Sequence, residues 1–278
     1  MNKKSFERLC SLADEITNHP ATRENKHIGY MPNFMGRICI PRSKVTGNEY
    51  IQVNGNIKLT IISPSDIGLP YGPTARILLI IITTLAKINN SNEIYLGKTQ
   101  KAFMASLGKF SSGGLNGSNT GTIKQLQKLL ISTFLVEDPS SPHWGFKRIS
   151  VANDASLWTP FEDNCWNSHL HIGTDDYYKL TKSAIPIDMR VIYEFKGKSL
   201  AIDIYLLLVR ILPWRKSNRL FPWSIIEQQL GMNYKNVRNF RRDVIKNLKL
   251  VHILYPQAKI KITKEGLELD KSPPHVPR

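Results

Sequence analysis

Cysteine is nearly missing: Cys10, Cys39 and Cys165 stand alone in 278 residues, with no C-x-x-C pair. That excludes a disulfide framework and a cysteine-rich metal site, and it fits a reducing cytoplasm. Long apolar runs are missing too. The most apolar stretch, "ILLIIITTLA" at 77–86, lies between Arg76 and Lys87. It is far short of the roughly 18–20 residues that cross a bilayer. The N-terminus, "MNKKSFERLCSLADEI", mixes acids with bases and has no apolar core of signal-peptide length, so export is not expected. Acidic residues are scarce, 22 against 38 lysines and arginines, for a formal net charge of +16. Such an excess favours polyanions, and with the membrane set aside the partner is nucleic acid. A hydrophobic content of 41% is that of a globular protein, and the length suits one large or two modest domains.

The positive charge is concentrated. "NYKNVRNFRRDVIKNLKLV", residues 233–251, carries six basic residues against one aspartate. At about 100° per residue, Val237, Phe240, Val244, Leu248 and Val251 share one face of a helix. Lys235, Arg238, Arg242, Lys246 and Lys249 lie almost opposite, with Arg241 toward the boundary. Such a helix buries one stripe and offers a basic stripe outward. A solvated surface face is the bland alternative, and the surroundings decide between them.

Those surroundings repeat. Residues 1–40 read as a short amphipathic helix and an irregular arm. "YIQVNGNIKLTII" at 50–62 is a hairpin around Asn54-Gly55. A first unit then runs helix 74–89, strand 93–97, helix 99–108, a Gly/Ser/Asn-rich turn at 111–121 and helix 122–136. Extended segments follow at 146–152 and 168–173. After a linker and short helix at 183–197, a second unit repeats the order. It runs helix 199–212, strand 220–223, helix 224–231, the basic helix 234–250, and a hairpin at 258–270 around Glu265-Gly266. Helix, helix, turn, helix and hairpin is the order of a winged-helix unit. The sequence therefore predicts an α+β protein of two tandem winged-helix domains with short β-hairpin wings. The predicted boundaries are an N-terminal arm at 1–40, a first domain at 41–182 and a second, DNA-binding domain at 183–278.

In that order the basic helix takes the recognition position. Between Trp214 and Lys249 there are nine basic and two acidic residues. Arg215, Lys216 and Arg219 lie in the loop before the strand, and Lys259, Lys261 and Lys264 lie on the wing. Charge from separate elements converging on one side is what a phosphate backbone requires. The N-terminal part of a recognition helix goes deepest, so Lys235, Asn236, Arg238, Asn239 and Arg242 are the candidates for base edges. Lys246 and Lys249, two to three turns on, are expected at phosphates. In the first unit Thr120, Thr122, Lys124 and Lys128 are a secondary, weaker DNA contact, near helix-terminal amides that can hold a phosphate.

Several stretches resemble a known family. "GNEYIQVNGNIKLTIISPSDIGLPYG" (47–72), "IPIDMR" (185–190), "SLAIDIYLLL" (199–208), "NFRRDVIKNLKLVHILYPQAKI" (239–260) and "SPPHVP" (272–277) are similar to the plasmid-encoded RepA-type replication initiators. The likeness runs over roughly residues 36–278 and is strongest in the second unit. It implies a protein that binds repeated sites in double-stranded plasmid origin DNA, helps open the duplex, and recruits a host initiator and the replicative helicase. It also implies a homodimer that represses its own promoter.

Rival chemistry is thinner. His169-Leu170-His171 is a His–hydrophobic–His step like the metal-binding pair of rolling-circle nucleases, and Tyr177 and Tyr178 are candidate nucleophiles. Alternation in a strand puts both imidazoles on one face. The tyrosines follow within seven residues and no third ligand is evident, so exposed strand histidines are the plainer reading. "SSGGLNGSNTGTIK" (111–124) lacks the G-x-x-x-x-G-K-[ST] spacing and reads as a turn. Trp158, Trp166, Trp214 and Trp223 read as core or junction residues rather than stacking platforms. "SPPHVPR" reads as a disordered or extended tail. Asp203 and Glu227 have no paired carboxylate for acid–base work. The expectation is a cytoplasmic, non-enzymatic DNA-binding initiator with no cofactor, metal or catalytic residue. A nicking initiator and a plain transcriptional repressor are the alternatives.

Overall fold

The computed structural model describes residues 2–106, 118–138, 145–160, 166–230, 234 and 236–277. In chain order come α1 (Lys3–Asn18), β1 (Ile28–Met31), β2 (Glu49–Asn54), β3 (Ile57–Ile62) and α2 (Gly72–Asn89). Next are β4 (Glu93–Tyr95), α3 (Gln100–Ser106), α4 (Ser118–Ile131), β5 (Thr133–Glu137) and β6 (Phe146–Ser150). Then follow β7 (Asp154–Pro160), β8 (Trp166–His171), α5 (Thr174–Thr181), β9 (Ile185–Asp188) and α6 (Met189–Glu194). The chain closes with α7 (Ser199–Ile211), β10 (Arg219–Pro222), α8 (Trp223–Leu230), α9 (Val237–Leu254), β11 (Ile260–Ile262) and β12 (Gly266–Leu269). This is a mixed α+β protein, its helices combined with several small sheets.

Two units divide the chain. Unit 1 is Met1–Cys39, Val53–Gly55 and Ile185–Arg278; unit 2 is Ile40–Gln52 and Asn56–Ala184. Residues 1–39 are thus no separate arm. Helix α1 buries Leu9 and Ile16 and packs on α9, and β1 pairs antiparallel with β9, Ile28 opposite Asp188 and Met31 opposite Ile185. The stretch read as a linker is therefore partly a strand, because "IPID" finds its partner about 155 residues upstream, beyond any local pattern.

In unit 2, α2 begins with Pro at its first turn and ends at Asn90, whose φ of 48° is the left-handed cap that Asn tolerates. Arg76, which bounds the apolar run in sequence, is fully buried. Carbonyls satisfy its guanidinium, those of Ile40, Pro41 and Gly72 at 2.6, 3.0 and 2.9 Å. Helix α4 stops at Ile131, not at 136. The alternating "TFLVE" pairs as β5 between β3 and β6, burying Phe134 and Val136 beside Leu59 and Ile61. A second sheet has the order β4-β8-β7. Strand β7 and helix α5 had no place in the sequence reading. Of the expected turn at 111–121, residues 111–117 lie outside the described residues and 118–121 are helical.

Unit 1 is built on α7, buried from Ser199 to Val209, with α9 packed against it through Phe240, Val244, Leu248, Val251 and Leu254. Strands β10, β12 and β11 make a three-stranded antiparallel sheet. At Gly266 a Cβ would stand 1.9 Å from the Phe221 carbonyl oxygen, so β12 can lie this close to β10 only with glycine there. The tail is docked rather than loose. Ser272 and Val276 are buried, the Tyr255 hydroxyl donates to the Pro273 carbonyl, and His275 bonds Tyr205 and Leu254. Arg190 meets Asp188 at 2.6 Å and Glu15 at 3.2 Å. Burial opposes its charge, but the carboxylates of Asp188 and Glu15 together more than compensate and raise its pKa.

Candidate nucleic-acid interface

Helix α9 is the best-defined part of the candidate surface. Its buried stripe follows the predicted period, except that Val237 is 44% exposed because it opens the first turn, ahead of the packed face. Asn236 is the N-cap: its side-chain oxygen accepts from the Arg238 amide at 2.8 Å. One end of that side chain, expected at a base edge, is thereby committed to holding the helix start. Arg238, Asn239, Arg242, Lys246 and Lys249 are exposed along the outer face; Lys235 lies outside the described residues. Over 18 residues the helix spans about 27 Å, long enough to lie across a major groove.

The helix's single acid serves its structure. Asp243 accepts from the Tyr234 hydroxyl at 3.2 Å and from Arg242 Nε at 3.2 Å, and Tyr234 packs edge-on against Phe240. Arg242 is thus steered by a neighbour yet remains mostly exposed. Arg241 lies over the Trp223 ring, 5.5 Å from its centroid. The Trp223 amide donates to the Glu265 carbonyl, so Arg241, the start of α8 and the hairpin turn come together.

Two of the loop cations are placed by β10. Arg219 pairs with Leu269, while Pro222 pairs with Gly266 beside the hairpin turn. Three residue steps, about 10 Å, separate these ends of β10, so Arg219 stands at the end opposite the turn. Arg215 stacks on the Phe221 ring at 4.4 Å. Burial, then repulsion from Arg219, lowers its pKa. Lys261 is paired with Glu268 at 3.5 Å. Arg219 is thus set apart from the hairpin turn, whereas Arg215 and Arg241 lie over rings two residues apart, Phe221 and Trp223.

In unit 2, α4 brings Lys124 and Lys128 to one face but turns Thr122 inward, 1% exposed, beside Gln125, Leu126 and Leu129. Its hydroxyl is therefore not available to a phosphate, and Thr120 is only half-buried. Lys128 lies over Tyr71, 5.6 Å from the ring centroid. Burial lowers its pKa first, then the like charges of Lys44 and Lys124. Lys44 is a cation that sequence reasoning missed; no local pattern links position 44 to this helix.

On one face of β8 His169 is exposed and His171 half-buried, with Leu170 fully buried on the other. His171 is engaged through both nitrogens, Nδ1 with Asp154 at 3.2 Å and Nε2 with the Asn92 amide at 3.2 Å. Among the described residues no group of three or more His, Cys, Asp or Glu side chains could hold a metal ion. The Tyr177 hydroxyl donates to Asn90 at 3.0 Å, and Tyr178 is 57% exposed.

Comparison with known families matches the plasmid-encoded RepA protein over residues 69–224, more than half of the chain. The chain belongs to that family. The match ends at the second residue of α8, so α9, the element with the clearest surface in this RepA-family chain, lies beyond it. Comparison with curated proteins gives no match. Two solved structures of domains 2 and 3 of RctB resemble the fold. One superposes with a TM-score of 0.53 at 13% identity, covering 78% of this chain and 83% of the other. The second gives 0.51 at 13% identity, covering 85% and 96%. At that identity the likeness is one of fold. Among the described residues no helix is long and apolar enough to cross a membrane.

Proposed function

We propose that this protein is a plasmid replication initiator that binds repeated sites in duplex origin DNA through α9. Membership of the RepA family supports the initiator role. The observation that carries the DNA reading is α9 itself: a helix buried on one stripe, capped at its start, and basic along its exposed side. We read each unit as a winged-helix domain. In unit 1, α7, β10, α8, α9 and the β11–β12 hairpin supply the order; in unit 2, α2, β4, α3, α4 and β5–β6 do. Arg238, Asn239 and Arg242 are assigned to base edges, with Asn236 mainly a cap, and Lys246 and Lys249 to phosphates. Lys124 and Lys128 add a weaker contact. Opening of the duplex, recruitment of a host initiator and helicase, repression of its own promoter and a cytoplasmic location belong to the same reading. A homodimer does too, and exposed Ile51, Ile62 and Phe146 on the strands of unit 2 support one.

We read the protein as a binder rather than a nuclease, since His171 is already held by Asp154 and Asn92. Supercoiled origin DNA with Mg²⁺ or Mn²⁺ is expected to stay unnicked. A tyrosine–DNA adduct lost in Tyr177→Phe or Tyr178→Phe would reverse this. The main test is binding to a base-substitution series between about 50 and 200 mM salt. Arg238→Ala and Arg242→Ala should relax preference at particular base pairs. Uniform losses on every sequence would reduce α9 to an electrostatic handle.

A further inference from the structure

The loop before β10 carries the most exposed large apolar side chain among the described residues. Trp214 is 66% exposed, whereas Trp223, nine residues on, is 3% exposed. Sequence reasoning took both as core or junction residues. Trp214 closes the short 3-10 turn Leu212–Trp214 at the end of α7. The turn is well anchored: Leu212 is fully buried, and its carbonyl accepts from the Arg215 and Ser272 amides. A pinned backbone with an outward indole is a presented side chain, not a frayed end.

The charges around it are of one sign. Residues 213–222 contain Arg215, Lys216 and Arg219 and no acid. Among the described residues none of these three has a carboxylate within ion-pairing distance. Arg215 lies over Phe221, 4.4 Å from the ring centroid, which gives the loop a second cation-bearing aromatic close to the indole in sequence. A cation held by an aromatic ring and crowded by another cation is arranged for an incoming anion.

We propose that the Trp214–Phe221 segment binds single-stranded nucleic acid, with Trp214 stacking on unpaired bases while Lys216 and Arg219 meet the phosphates. Duplex DNA offers phosphates but keeps the faces of its bases stacked, so an exposed indole gains little from it. An unpaired strand offers both base faces and charge, and stacking on an aromatic side chain contributes about 1–3 kcal/mol per base. Arg219 opens β10 three residue pairs from the Pro222–Gly266 end beside the hairpin turn. This surface goes beyond the duplex contact assigned to α9 and does not depend on it. An acidic protein segment shares the charge but not the need for a flat partner.

The experiment uses the full chain and two labelled probes, oligothymidylate and an origin duplex, read by fluorescence anisotropy. Trp214→Ala should weaken oligothymidylate binding about 5- to 150-fold, the range that this stacking energy implies. Trp214→Phe should restore most of it, and duplex binding should change less than about twofold for either variant. Arg242→Ala should do the reverse, so failure of the α9 reading and failure of this one are separately visible. The proposal is overturned if wild-type protein does not bind oligothymidylate, or if Trp214→Ala binds it as well as wild type. It is equally overturned if Trp214→Ala loses both probes alike, or if polyglutamate displaces oligothymidylate as well as unlabelled oligothymidylate does.

Discussion

Helices α9 and α4 occupy corresponding places in the element order of their units, yet they are different objects. Helix α9 has 18 residues, a stripe of five buried apolar side chains and a run of exposed cations from Arg238 to Lys249. Helix α4 has 14 residues, carries the polar Thr122 and Gln125 on its buried side, and offers two lysines. One of those lysines is drawn over Tyr71 and discouraged from its charge by burial and by Lys44 and Lys124. Recurrence of an order of elements does not reproduce a surface. What a helix offers to a polyanion depends on how many charges it keeps in water, and here only α9 keeps many.

The two helices also differ in support, and the largest expected effect lies there. Helix α9 is backed by α1, and β9 is paired with β1, so a fragment of residues 183–278 would lose both supports. Such a fragment should lose most of the ~5–15 kcal/mol that holds a domain folded, giving no cooperative thermal transition. A sharp transition at the full chain's temperature would show that residues 1–39 are dispensable. Next comes the buried pair in the same unit. Asp188→Ala strands Arg190 in the interior and should cost about 3–5 kcal/mol by denaturant titration.

On DNA, Arg238→Ala or Arg242→Ala should each remove about 1–3 kcal/mol of discrimination at a base pair. Lys124→Ala should leave discrimination unchanged and reduce the salt slope by no more than about 0.9. If the α4 substitution proved as costly as those in α9, the contrast between the helices would collapse.

The smallest effect is one of pH. Burial, more than the opposing pull of Asp188, lowers the pKa of His275 below its ordinary 6.5, with Arg190 also disfavouring its charge. The unfolded chain then takes up the proton before the folded one does. The contribution is complete above about pH 6.5 and is lost as pH falls through the lowered folded value. His275→Gln should flatten that part of the stability profile and lower stability at neutral pH by about 1 kcal/mol, read from melts at several pH values.

Much of this was legible in the chain. Apolar spacing and turn residues found α2, α7, α8, α9 and both hairpins to within a few residues, because each carries its own periodicity and punctuation. Pairing across long separations was not legible. The partner of "IPID" lies at 28–31, and nothing in either segment names the other. The burial of Arg76 was hidden for a related reason: the three carbonyls that satisfy it come from the backbone, where sequence leaves no mark. Lys44, the inward turn of Thr122 and the outward turn of Trp214 depend on which face tertiary packing selects. Charge counting picked out α9 and the 215–219 loop, but not the rings that hold Arg241 and Arg215, Trp223 and Phe221.

The docked tail has a spectroscopic consequence. His275 Nε2 faces the Leu254 carbonyl at 2.9 Å, so in the neutral ring that nitrogen carries the hydrogen. Nδ1 is then the acceptor and must receive the Tyr205 hydroxyl proton at 2.8 Å, while the Tyr205 oxygen accepts from the Asp188 amide at 2.9 Å. Every proton in this series has one direction, and Tyr205 is fully buried. Its hydroxyl hydrogen should therefore exchange slowly with water and give a separate downfield proton resonance. That single line would report on the closing of the tail over α7 without any label attached to the protein.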